Sequence, residues 1–222
     1  MLRAVEQAEV KHAYAATGCY AHAIVSTQRL LAAGLIGQVY ESESVLHMNV
    51  PSGRLPYGWV HQLGQGGRLF NNVFTHKVAQ VLRATGGQVG RAAGEARFVV
   101  EHAPVGPVIH DFGDLFRLSD RWDPDAATAG RPVDADMAYT VTLMLQLPHG
   151  NNANVVFRGS VLTTTPEPEY LAFHGEGGSR YMCGSHGADD RIRHFAIQHQ
   201  RWEDLPLPPD VMATDARATV HS

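Results

Sequence analysis

The sequence predicts an α+β fold, a mainly antiparallel open sheet with helices on one face. Three observations carry that reading. Two amphipathic patterns of helical period lie within the first 86 residues, each closed by glycine. Period-two alternation dominates the remainder of the chain, with glycine- and proline-bearing loops between consecutive strands. Strict alternation of strand and helix, the mark of a parallel sheet with crossovers, is missing.

Residues 1–10 form a short helical pattern, and Lys11 to Thr17 a brief strand-like run that stops at Gly18. From Ala21 to Ala33 the apolar residues Ile24, Val25, Leu30 and Leu31 repeat with helical spacing, and Gly34 supplies the C-cap. An extended segment runs from Gly37 to Val50. In it Tyr40, Leu46, Met48 and Val50 share one parity and Glu41, Glu43, His47 and Asn49 the other, as expected for a strand with one buried face. A helix from about Arg68 to Ala84 gathers Phe70, Val73, Phe74, Val78, Val81 and Leu82 on one side and Arg68, Asn72, His76, Ala79 and Arg83 on the other. Gly86 and Gly87 end it. Later strands are expected at Arg97 to His102, Tyr139 to Leu147, Asn154 to Ser160, Tyr170 to His174 and Ile192 to Gln200. The loops Pro148–Asn152 and Gly175–Gly178 read as hairpin turns, and Arg121 to Asp136 as a long loop on the rim of a cleft.

The chain of 222 residues, 44% hydrophobic, is long enough for one sizeable core. A net charge of −4, spread without runs, gives no electrostatic footprint for nucleic acid or an anionic membrane. Small-molecule partners fit better. Two cysteines, Cys19 and Cys183, are too few for a disulfide framework, although one bridge between them is open to them. The opening residues carry two glutamates where a signal peptide is apolar, so a cytoplasmic protein is expected. Thirteen histidines are scattered without metal-ligand spacing, and no metal is expected. Asp111 and Asp114 could pair as acids, but Asp-x-Gly-Asp sequences are commonly turns. Gly64, Gly66 and Gly67 follow no apolar strand and are not a dinucleotide phosphate loop.

The stretch Gly66-Gly67-Arg68-Leu69-Phe70-Asn71-Asn72-Val73-Phe74-Thr75-His76, seven residues after Trp59, carries the most information. Together with Ala32 to Val39 and Tyr170 to Ser179 it resembles the C-terminal domain of the Gfo/Idh/MocA family of NAD(P)-dependent oxidoreductases. The resemblance implies the open-sheet fold shared with the C-terminal domains of dihydrodipicolinate reductase and glyceraldehyde-phosphate dehydrogenase. It further implies hydride exchange between a nicotinamide, NAD or NADP, and a sugar, inositol or related hydroxy or carbonyl compound. A homodimer formed through the sheet face is also implied. The family's glycine–leucine–aspartate–glycine–histidine motif places its histidine at His76, its first aspartate at Asn72, its later glycine at Phe74 and its last aspartate at Ala79. One residue is extra between Leu69 and Asn72.

By that resemblance His76 is the expected general acid/base, a role suited to a group titrating near neutral pH. Asn72, one turn earlier, orients the imidazole or binds a substrate hydroxyl. Arg68 and Trp59 are the expected substrate contacts, although Trp59 could equally plug the core. Lys77 points about 100° away from His76 and reads as surface. The family's Glu-Lys-Pro lysine and nucleotide domain have no counterpart here. The expected division is therefore 1–19 as the end of a Rossmann domain, 20–214 as the substrate and oligomerisation domain, and 215–222 as the first turns of a closing helix. The alternative is a non-redox binding or scaffold module derived from that domain.

Overall fold

The computed structural model describes residues 2–11, 16–48, 54–67, 69–119, 121–127, 129–163, 169–183 and 191–212. In chain order its elements are α1 (Leu2–Gln7), α2 (His22–Ala32), β1 (Val39–His47), α3 (Thr75–Thr85), β2 (Gln88–Arg97), β3 (His102–Pro104) and α4 (Phe112–Ser119). They continue with β4 (Gly130–Pro132), β5 (Ala138–Gln146), β6 (Asn152–Ser160), β7 (Tyr170–Gly175), β8 (Gly178–Cys183), β9 (Arg191–Ala196), β10 (Arg201–Leu205) and α5 (Pro209–Met212). The expected helix from residue 215 onward lies outside the described residues. No described helix is long and apolar enough to cross a membrane.

Eight strands form one sheet in the order β10-β9-β8-β7-β1-β6-β5-β2, and β3 and β4 pair apart as a small hairpin-like ribbon. Every neighbour in the large sheet is antiparallel except β1 and β6, so the α+β expectation holds. Helices α2 and α3 cover one face. Tyr139, Val141, Leu143 and Leu145 of β5 point into it as their alternation predicts, beside Val155 and Phe157 of β6 and Leu171 and Phe173 of β7. Ala23 and Ile24 of α2 and Val81 and Ala84 of α3 close the core from above. Gly34 and Gly86, both at positive φ, end the two helices where the sequence places its stops. The hairpins between β5 and β6 and between β7 and β8 also fall where expected.

Four expectations change. A register shift between Val39 and Glu41 turns Tyr40 outward, so the buried face of β1 is made by Val39, Ser42, Ser44 and Leu46. The strand expected at Arg97 to His102 is β2, at Gln88–Arg97; its Gly/Ala-rich residues lie at the sheet edge, exposed on both faces, and carry no alternation. The run from Ile192 to Gln200 is not one strand, because residues 197–200 turn back and β10 comes next, with Gln200 at φ +50°. The long loop from Arg121 to Asp136 holds β4, paired with β3.

Candidate active site

The glycine turn and the helix behind it form one unit. Two 3-10 turns, Trp59–His61 and Leu63–Gln65, lead into Gly66 at φ +79°. A Cβ at Gly67 would press on the carbonyl oxygens of Trp59, Val60 (2.6 Å) and Gln62 (2.7 Å), so only glycine fits. His61 is fully buried and accepts from the Gly58 amide through Nδ1 at 3.1 Å, which places the proton of its neutral ring on Nε2.

Beyond Leu69 the first helical turn, Phe70–Phe74, is a π turn, one residue wider than an α turn. Leu69 is buried in the core, and Asn72, within the π turn, stands four residues before His76. Phe74 stacks on Phe70 and meets Tyr139 and Phe157 edge-on at 5.3 Å, which holds the turn to the sheet.

Two aspartates fasten the unit. Asp136, 1% exposed, accepts the Phe70 amide at 2.9 Å, and its own carbonyl accepts from Leu69 N at 3.3 Å. Asp134 accepts the Leu63 amide at 2.6 Å. Both stand in the aspartate-rich loop that the sequence marks as a cleft rim, but their partners are backbone amides, which no side-chain motif signals. Burial, reinforced by the Asp136 carboxylate, pushes the Tyr139 phenol far above its ordinary value, so Tyr139 stays neutral. Asp136→Ala strands the Phe70 amide at the opening of the helix and will lower the unfolding free energy by about 2 kcal/mol, read from urea denaturation.

Asn72 donates to Gly66 O at 2.9 Å, and Asn71 donates to the same oxygen at 3.2 Å. The turn thus joins Trp59, Gly66 and Asn72 physically, with His76 half-buried one helical turn further on. Trp59 is half-buried against the small cluster of Leu55 and Ile109. Arg68 lies outside the described residues. Asp111 and Asp114 open α4: Asp111 accepts the Asp114 amide at 2.9 Å, and Asp114 pairs with Arg117 at 2.6 Å. That is the turn reading.

Lys77 is not surface. It is 3% exposed and forms an ion pair with Glu169, on the wall of a narrow cleft shared with Ile24, Ser44, Gln80 and Met182. Burial lowers its amine to about 8. Since adjacent helical residues diverge by about 100°, this cleft lies beneath the helix layer and away from the His76 side.

The glycine turn does not fit a dinucleotide's pyrophosphate. An anion cradle needs free amides, whereas here the Gly66 and Gly67 amides donate to Leu63 O and Gln62 O at 3.0 and 2.9 Å, and three carbonyl oxygens crowd Gly67.

The GFO/IDH/MocA C-terminal domain model matches residues 24–180, more than half of the chain. No curated protein matches the sequence. Among solved structures, an NAD binding oxidoreductase from Klebsiella pneumoniae is 17% identical with TM-score 0.71, covering 96% of this chain and 52% of that one. A super-repressor mutant of Gal80p from Saccharomyces cerevisiae is 13% identical with TM-score 0.70, covering 94% and 49%. Levoglucosan dehydrogenase in complex with NADH and L-sorbose is 13% identical with TM-score 0.63, covering 87% and 47%. The chain spans about half the length of these proteins, and at such identities the likeness is one of fold. The residues matched by the family model run from α2 through the glycine turn, α3 and the sheet as far as β8, and on that match the chain belongs to the GFO/IDH/MocA family as a C-terminal domain.

Proposed function

We propose that this chain is the substrate-side part of an NAD(P)-dependent oxidoreductase acting on a sugar, inositol or related hydroxy or carbonyl compound. The family match over residues 24–180 carries the reading, with His76 standing where the motif resemblance puts the family's histidine. Levoglucosan dehydrogenase, similar in fold, has been solved with NADH and L-sorbose, which supports a sugar-like substrate class. His76 takes the hydroxyl proton when the substrate is oxidised and returns it when a carbonyl is reduced. Asn72 orients that ring through the turn it closes, and Trp59 and Arg68 contact the substrate. The nicotinamide is held mainly by a nucleotide domain outside residues 20–214, with residues 1–19 the end of that domain. The helix-free face of the sheet pairs with a second copy.

Titrating the 222-residue chain with NADH and NADPH by calorimetry is expected to give no binding heat; saturable binding would sink the assignment of the cofactor to other residues. In the assembled enzyme, isolated from its native cell and screened on polyols, His76→Ala is expected to lower kcat by about 10²–10⁴-fold with KM little changed. Unaltered turnover would remove His76 from the chemistry.

A non-redox binding module is the second reading, favoured by the hydrogen bond that ties Asn72 to Gly66 O and by the likeness to Gal80p, one example of which is named a transcriptional regulator. An intact mass of the native protein equal to 24.2 kDa, with no nicotinamide-dependent turnover, would favour it.

A further inference from the structure

β2 ends the large sheet, hydrogen-bonded to β5 on one side and, among the described residues, to no strand on the other. Residues 88–95 are exposed on both faces, because the helices stop short of this edge. Natural edges are commonly blunted by proline, lysine or a bulge. This one has neither proline nor lysine, and its register shift lies between Val89 and Arg91, at the start. From Arg91 to Arg97 the strand tracks β5 residue for residue.

The charges on that free length are self-complementary. Arg91, Ala93, Glu95 and Arg97 share the helix-free face. A two-fold axis through Ala93 sets Arg91 opposite the Glu95 of a second copy, twice over, with Ala93 against Ala93 and Ala92 against Gly94 between them. Other pairings lose this. An axis at Gly94 puts Arg91 opposite Arg97, and parallel in-register pairing puts each charge against itself, which is destabilising. Residues directly opposite in a sheet share a face, so this axis stands perpendicular to the sheet and leaves both helix layers on one side.

We propose that β2 is a docking edge for a second copy of this chain, pairing antiparallel about Ala93 and doubling the eight-stranded sheet. This contact is distinct from pairing through the sheet face and leaves that face open.

The test uses the 222-residue chain with Cys19→Ser and Cys183→Ser, into which Ala93→Cys is placed. Two cysteines on the axis face each other across a cross-strand pair with Cα atoms about 4.5–5.5 Å apart, within disulfide reach. Oxidation is expected to give a covalent dimer, and Val156→Cys, on the helix-free face of β6, is expected not to cross-link in the same way through the edge. In the parent chain, Arg91→Glu or Glu95→Arg alone is expected to weaken self-association roughly tenfold or more by analytical ultracentrifugation, and the two together to restore it. A chain that stays monomeric, a dimer trapped only by Val156→Cys, or single charge reversals without effect would each overturn the proposal.

Discussion

Glu169→Gln will lower the unfolding free energy by about 3 kcal/mol at neutral pH, seen as a lower urea midpoint with an unchanged m value. The Lys77 ammonium lies almost fully out of water, and the Glu169 carboxylate is the counter-charge that makes this tolerable. Taking the carboxylate away leaves the larger part of the desolvation penalty standing. Lys77→Met alone will cost less, since Glu169, with 18% of its side chain exposed, reaches solvent more easily. The pair Lys77→Met and Glu169→Leu will fall within about 1 kcal/mol of the parent, because a packed apolar pair replaces a buried ionic one at little net change. An additive double variant would mean that the two side chains do not act as a unit.

The same burial gives stability a pH slope of known sign. The unfolded chain keeps the Lys77 proton up to about 10.5, whereas the folded chain releases it near 8. Between those values the unfolded state binds more protons, so unfolding free energy rises with pH, by about 1 kcal/mol per unit from this group. Below 8 both states are protonated and the penalty is present in full. Urea curves at pH 7.5 and 9.5 will show the rise in the parent chain and its loss in Lys77→Met; equal slopes would deny the lysine its part.

Gly67→Ala is the second large effect, a loss of about 3 kcal/mol. The added methyl group meets three backbone carbonyl oxygens rather than a side chain that can swing away. Gly66→Ala will cost only about 1–2 kcal/mol, although Gly66 is the residue at positive φ, because space around it is open and the left-handed conformation is its sole difficulty. The reversed order would mean that the 3-10 turns before Gly67 give way readily.

Much of this architecture was legible where a local pattern meets a single environment. β5 alternates buried Tyr139, Val141, Leu143 and Leu145 with the less buried Thr140, Thr142, Met144 and Gln146, and the glycines after α2 and α3 stop helices because they adopt the backbone those stops require. β2 was hidden because alternation records a difference between two faces, and at the exposed edge there is none. Tyr40 misled in another way: it shares the parity of Leu46, but the bulge sends it to solvent, and the small hydroxyl residues Ser42 and Ser44 fill the buried face with Val39. Lys77 stands three and four residues from Phe74, Val73 and Val81, squarely on the apolar side, so the helical period already placed it inside. Its charge argued for surface, and Glu169, 92 positions away in sequence, is what made the interior habitable. The roles of Asp134 and Asp136 depend on backbone amides brought to them by the fold, which residue identity does not encode.

The π turn at Phe70–Phe74 bears on how such a chain can change over generations. Gaining one residue inside an α-helix swings everything beyond it by about 100°, which here would carry His76 off its side and Lys77 out of its cleft. A widened turn would confine such a gain to the five residues Phe70–Phe74 and leave both sides of α3 in phase. The same place is open to the reverse step: loss of Asn71, an exposed residue in that turn, would let the segment relax to an ordinary α-helix while the histidine and the lysine kept their neighbours. Length variation that is forbidden elsewhere in the helix is admissible there, so residues upstream of the turn can be out of numerical step with a relative's while occupying the same places in space.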